Sequence, residues 1–148
     1  MVSVVAPAPG PALPPVRYDG VDALLEAARS RLDRISARAA FQELVGAGAL
    51  LVDIRPAAQR AREGEVARWL PALVVERNVL EWRFDPRSDA RLPEASYDRR
   101  VIVLCQEGYT SSLAADALRS IGVERATDVV GGFAAWRAAG MPVSGVAA

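Results

Sequence analysis

Arg100-Val101-Ile102-Val103-Leu104-Cys105-Gln106-Glu107-Gly108-Tyr109-Thr110-Ser111-Ser112 sets an unbroken apolar run against a polar loop with a glycine at its centre. A strand with one wet face alternates apolar and polar residues, so Val101 to Leu104 reads as a strand buried on both faces. Beyond the loop, Leu113, Ala114, Ala117, Leu118 and Ile121 recur at helical spacing from Ser111 to Ile121, and Gly122 ends that helix. Strand, loop and helix in this order predict one unit of a mainly parallel sheet, with the loop at the carboxyl edge where such sheets hold ligands. Cys105 stands at that edge.

The same pattern recurs on either side. Ala49 to Arg55 is apolar until Asp53 and Arg55, and Leu73-Val74-Val75 and Thr127-Asp128-Val129-Val130 are further strand candidates. Between them, helices are expected over Val21 to Leu32, over Ala37 to Val45 with Ser36 as cap and Gly46 and Gly48 at the end, and after Pro56. A short extended piece falls around Arg34 and Ile35. Glu81 to Arg100 carries five acidic and five basic residues with Pro86 and Pro93, and reads as a solvated connection. The expected organisation is a Pro-rich flexible tail over 1–17, an extra helix within 18–32, one α/β domain over 33–143 and a tail over 144–148. Five prolines between Met1 and Arg17 break any signal-peptide helix. No uncharged apolar stretch reaches the roughly 18 residues that span a bilayer, so a cytoplasmic protein with no membrane partner is expected.

Composition narrows the chemistry. The chain has 148 residues, half of them apolar, which suits a single core. Its 18 basic residues, all arginine, balance 18 acidic ones, so no net field draws a nucleic acid. Histidine and lysine are absent and cysteine occurs once. That removes the Ser-His and Cys-His relays, the phosphate-loop lysine, the Schiff base, an internal disulfide and any multi-thiolate or histidine metal site. Cys105 is the remaining strong nucleophile, and no imidazole is present to activate it.

The loop offers another activator. A strand-loop-helix turn aims successive backbone N–H groups and the positive end of the helix at the residue that opens it. Gln106, Glu107, Gly108, Tyr109, Thr110 and Ser111 are the candidate anion-binding loop around a Cys105 thiolate. Gly108 allows a tight curl, and the hydroxyls of Thr110, Ser111 and Ser112 are available as donors or caps. Spacing excludes two other thiol chemistries. A phosphate-hydrolysing cysteine needs an arginine six positions on, where Ser111 stands, and a dithiol redox pair needs a second cysteine three positions on, where Gly108 stands.

The Cys-x-x-Gly-x-Thr loop, the strand ending in Asp53-Ile54-Arg55, and Val130-Gly131-Gly132-Phe133-Ala134-Ala135-Trp136 followed by Gly140-Met141-Pro142-Val143 resemble the rhodanese domain, over roughly Asp33 to Val143. The resemblance implies a five-stranded, mainly parallel sheet with helices on both faces. It also implies a sulfurtransferase in which Cys105 takes sulfane sulfur from a small-molecule donor as a persulfide and passes it to cyanide, a small thiol or a thiol protein. No metal or organic cofactor is implied. By position, Asp53 and Arg55 match the family's strand-end pair and are expected to brace the loop; the alternatives are a strand-end cap for Asp53 and a surface ion pair for Arg55.

Two departures stand out. Where the family usually has Gly-His-Ile-Pro-Gly-Ala, this chain has Gly64-Glu65-Val66-Ala67-Arg68-Trp69-Leu70-Pro71-Ala72, which alters local packing. Gln106 and Glu107 place no positive charge beside Cys105, so thiosulfate, a dianion, is expected to be a poor donor. Trp69, Trp82 and Trp136 are expected to pack in the core or its rim, Tyr109 to wall the pocket, and Gly131 and Gly132 to form a strand-to-helix turn. The competing reading is a binding or regulatory module of the same fold, with Cys105 as a redox sensor.

Overall fold

The structure is a computed structural model and describes residues 8, 10, 11 and 13–144. In chain order its elements are α1 (Gly20–Ser30), α2 (Ala37–Gly46), β1 (Leu50–Asp53), α3 (Ala57–Glu63), β2 (Glu65–Val66), β3 (Ala72–Val74), α4 (Leu80–Phe84), β4 (Val101–Leu104), α5 (Thr110–Ser120), β5 (Thr127–Asp128), α6 (Gly132–Ala138) and β6 (Val143–Ser144). Four strands pair in parallel in the order β3-β1-β4-β5, with Val52 opposite Leu73 on one side and Val103 on the other. β2 and β6 form a separate antiparallel ribbon.

The sheet divides two apolar layers by the alternation of its side chains. Leu50, Val52, Val101 and Val103 meet Leu80 and Phe84 of α4 and Ala114, Ala115 and Leu118 of α5. Leu51, Ile102 and Leu104 meet Ala40 and Leu44 of α2 and Phe133 and Trp136 of α6. Every residue of β1 and β4 is buried, which is why neither run alternates in sequence. The alternation carries on past the strand ends. Ile54 and Cys105 continue into the α5 layer, while Asp53 points to the other face.

The sheet has four full strands where five were expected. The fifth place is a single parallel bridge between Ile35 and Val129, closed by Val130 N–H to Ile35 O at 2.8 Å. The chain leaves extended geometry at once because Ser36 caps α2, its Oγ accepting from the Ala39 N–H at 3.1 Å. The segment expected to be a solvated connection also holds more order. α4 occupies its first residues, and Phe84 is fully buried because the helix closes the α5 layer. Trp136 is buried with Nε1 donating to Pro142 O, but Trp69 and Trp82 are 65% and 60% exposed. Trp69 only rests edge-on against Phe41, which in turn meets Trp136. At the ends, Leu13 to Arg17 are exposed, and Ser144, expected in the tail, pairs with Glu65. Residues 1–7, 9 and 12 of the expected N-terminal tail, and 145–148 of the other, lie outside the described residues. Among the described residues no helix is long and apolar enough to cross a membrane.

One ion pair ties α2 to the start of β4. Arg100 forks onto both Glu43 oxygens at 2.8 and 3.1 Å, and its hydrogen bond holds the Glu43 carboxyl below the ordinary value of 4.5. A depressed folded-state value gives stability that is present above the unfolded value and is lost as pH falls through the folded one. Glu43→Gln is therefore expected to lower the urea midpoint at pH 7 by the equivalent of about 0.5 kcal/mol, the scale of a half-exposed pair. The difference from the parent should begin to close as pH falls below 4.5 and vanish once the pH is under the lowered folded-state value. A gap that persists there would assign the effect to packing.

Candidate active site

Cys105 follows β4 directly, is 5% exposed, and its Sγ accepts a hydrogen bond from the Gly108 N–H at 3.2 Å. The loop returns on itself through Gly108 at φ +84°, pressed so closely on the next turn that a Cβ there would lie 2.7 Å from Gly131 N. Gly132, at φ +60°, is tighter still: its Cβ would lie 2.4 Å from Cys105 O. That approach lets the first turn of α6 bond to the loop. Phe133 N–H donates to Cys105 O at 2.8 Å and Ala134 N–H to Gln106 O at 3.0 Å. A third carbonyl, Gly108 O, accepts from Arg29 Nη2 at 2.7 Å and Arg34 Nη2 at 2.9 Å. In a trans peptide unit the C=O and the following N–H point opposite ways. Holding these three carbonyls outward therefore turns the N–H groups of Gln106, Glu107 and Tyr109 away from α6 and from the arginines.

Asp53 and Arg55 form a buried pair beneath the loop, 3% and 1% exposed. Arg55 donates Nε to Asp53 Oδ1 at 3.0 Å and Nη2 to Oδ2 at 2.7 Å, and its own backbone N–H also reaches Oδ1. Nη2 also donates to Gly64 O and Nη1 to Gln106 Oε1 at 3.0 Å, and the guanidinium lies 4.2 Å from the Phe133 ring centroid. A surface ion pair, one of the roles considered for Arg55, is thus replaced by a fully buried one. Burial of both charges is tolerated because the fork is matched and each of the three guanidinium nitrogens has an acceptor.

A second buried carboxylate, Asp128 on β5, organises the other side. Its Oδ1 accepts from Arg34 Nε at 2.9 Å, and its Oδ2 from the Ser111 and Ser112 hydroxyls at 2.7 and 2.8 Å. The Ser111 hydroxyl, expected at the anion loop, therefore turns into the core and pins the start of α5 to the sheet. Gln106 is half-buried on Arg55, while Glu107, Tyr109 and Thr110 are exposed and Thr110 already belongs to α5. Tyr109, expected to wall the pocket, is 59% exposed, with the Arg29 guanidinium 5.5 Å from its ring centroid. Beside the loop a cavity of about 310 Å³ opens between Gln106, Phe133, Ala134 and Arg137, and Cys105 is not among its lining residues.

Four residues of this arrangement escape sequence reading: Arg29, Arg34, Asp128 and Phe133. Asp128 carried a signal, a carboxylate inside a core strand, which requires a buried cation. Its partner is 94 residues away, beyond any spacing rule.

The family model for the rhodanese-like domain matches residues 37–139. The chain belongs to the rhodanese-like family. Among curated relatives, the adenylyltransferase and sulfurtransferase MOCS3-2 of Zea mays is 34% identical over 87 residues, 59% of this chain and 17% of that protein. The thiosulfate sulfurtransferase GlpE of Vibrio cholerae is 38% identical over 52 residues, 35% of this chain and 49% of that one. This rhodanese-like chain thus matches less than half the length of either. Among solved structures, a protein of unknown function from Rhodopseudomonas palustris, described as a possible tyrosine phosphatase, superposes with a TM-score of 0.77 and 27% identity, over 90% of this chain and all of that one. The polysulfide-sulfur transferase homodimer of Wolinella succinogenes shares the fold at a TM-score of 0.68 and 21% identity, over 83% of this chain and 85% of its own. Relatedness to sulfurtransferases is established at the level of the domain.

Proposed function

We propose that this rhodanese-like domain is a sulfurtransferase that carries sulfane sulfur on Cys105. The observation that supports it most is the Gly108 N–H on Sγ within a loop whose carbonyls at 105, 106 and 108 are all engaged outward. Such a loop offers donors without acceptors, which suits an anion on the sulfur better than a neutral thiol. The Cys105 thiolate attacks the outer sulfur of the donor, forming an S–S bond while the donor's own bond to that sulfur breaks and its electron pair leaves with the departing group. Thiosulfate would leave sulfite. An acceptor nucleophile then attacks the outer sulfur of the persulfide, and the electron pair of that S–S bond returns to Cys105 as thiolate. Charge develops beside preorganised amides, each worth about 2 to 4 kcal/mol where such donors have been removed elsewhere. Asp53 and Arg55 fix the loop through Gln106. The position at which a phosphatase loop needs an arginine is Ser111, buried and engaged with Asp128, which disfavours phosphoryl transfer.

Mass measurement after incubation with thiosulfate, a thiosulfonate, an organic persulfide and polysulfide tests this reading. At least one donor is expected to add ~32 Da, one sulfur, to Cys105, and cyanide should remove it. Initial rates with donor and acceptor varied should then give the parallel lines of a double displacement. No adduct with any donor would leave the fold to a binding or redox-sensing role.

A further inference from the structure

The loop residues Gln106-Glu107-Gly108-Tyr109 contain no cation, yet two guanidiniums converge on the Gly108 carbonyl. Their charges differ in standing. Arg34 is paired with the buried Asp128 at 2.9 Å, so that unit is neutral. Arg29 donates Nε to Ser112 Oγ at 3.1 Å and lies over Tyr109, and among the described residues no carboxylate pairs with it. It is part-buried, anchored through α1, whose Leu25 and Ala28 are buried. That helix precedes the segment matched by the family model. Gly108 therefore links the two groups of interest: its N–H is on the cysteine sulfur and its C=O is on an uncompensated cation.

We propose that Arg29 is a positioning and specificity-determining residue of the sulfur-transfer site. By holding the Gly108 carbonyl outward together with Arg34, and at the shorter distance, it helps fix the opposite direction of the Tyr109 N–H. By its net charge it supplies from α1 the positive potential that the loop sequence lacks, and so selects anionic sulfane donors of the thiosulfate class. This reverses the expectation drawn from Gln106 and Glu107. The choice of donor rests on the sulfurtransferase reading; the geometry does not. Lysine cannot reproduce the role in full, because one guanidinium plane serves the carbonyl, the serine and the ring together.

The test compares the full chain with Arg29→Gln and Arg29→Lys, each checked for native circular dichroism. Cys105 is alkylated with iodoacetamide, which is neutral, and with iodoacetate, an anion, at one pH. The ratio of the two rates cancels the thiolate fraction and reads local charge. Arg29→Gln is expected to lower the iodoacetate-to-iodoacetamide ratio about fivefold, as a nearby charge in a partly wet site does. Arg29→Lys should keep most of that ratio while the iodoacetamide rate falls modestly in both variants, because the Gly108 carbonyl loses the shorter of its two guanidinium donors and keeps only Arg34. With thiosulfate, KM should rise in Arg29→Gln more than in Arg29→Lys. A ratio unmoved in folded Arg29→Gln overturns the proposal even where persulfide forms normally. If instead the ratio falls as expected and no donor yields a persulfide, the sulfurtransferase reading fails and the placement of Arg29 stands.

Discussion

Cys105→Ser is expected to reduce persulfide formation and sulfur transfer to background while leaving the fold intact. The reaction needs a soft anion able to form and release an S–S bond, and a serine oxygen in the same place forms neither at neutral pH. The site tolerates the exchange because the new oxygen can accept from the Gly108 N–H that now bonds Sγ at 3.2 Å and the change in volume is small. A change in melting temperature of no more than a few degrees is expected, with about 1 kcal/mol at stake in the altered hydrogen bond and packing. Transfer that persists in the serine variant would place the sulfur carrier elsewhere.

Gly132→Ala is expected to have the second largest effect, because it combines backbone strain with a collision. An L-residue at φ +60° costs about 1 to 2 kcal/mol by itself. The added Cβ would also press on Cys105 O, a backbone atom with no room to rotate away, so the loop must shift. The sum is roughly 3 kcal/mol of stability, a fall in melting temperature of about 10 °C for a domain of this size. Transfer should fall about a hundredfold in the fraction still folded, since misplacement of a reacting group by an ångström has that scale. Gly140→Ala is the control. Its φ is +74° with nothing within 4 Å of the added carbon, so it should show the strain alone and keep transfer. Equal loss of transfer in both variants would mean that contact with the loop is irrelevant.

The parts of this protein legible in sequence are those decided by neighbours in the chain. β1 and β4 announce themselves because strands covered on both faces have no polar side, and α5 because apolar residues follow the loop at helical spacing, although its buried face runs through Ser111, Ala114, Ala115 and Leu118, turned from the expected stripe that included Leu113 and Ala117. The position of Cys105 at the sheet edge follows from the same run. What stays hidden depends on distance along the chain or on a single residue's competing demand. The fifth strand shrinks to a bridge because Ser36 must serve as a cap one residue later. Trp69 looks like core by composition, yet it follows a two-residue strand whose partner, β6, lies at the other end of the domain, and the turn faces outward. Arg29 and Arg34 are 79 and 74 residues from the glycine they bind. From sequence alone α1 is simply an extra amphipathic helix.

The donors that shape the Cys105 loop come from both flanks of the chain, Arg29 and Arg34 before it and Phe133 and Ala134 after it. A nascent chain that has been synthesised only through β5 already contains the complete loop sequence, but the two α6 amides that hold its first carbonyls do not yet exist. Under the proposed function, sulfur transfer would be coupled in this way to the completion of folding, since a partly made or unravelled chain would carry the cysteine without the loop geometry around it.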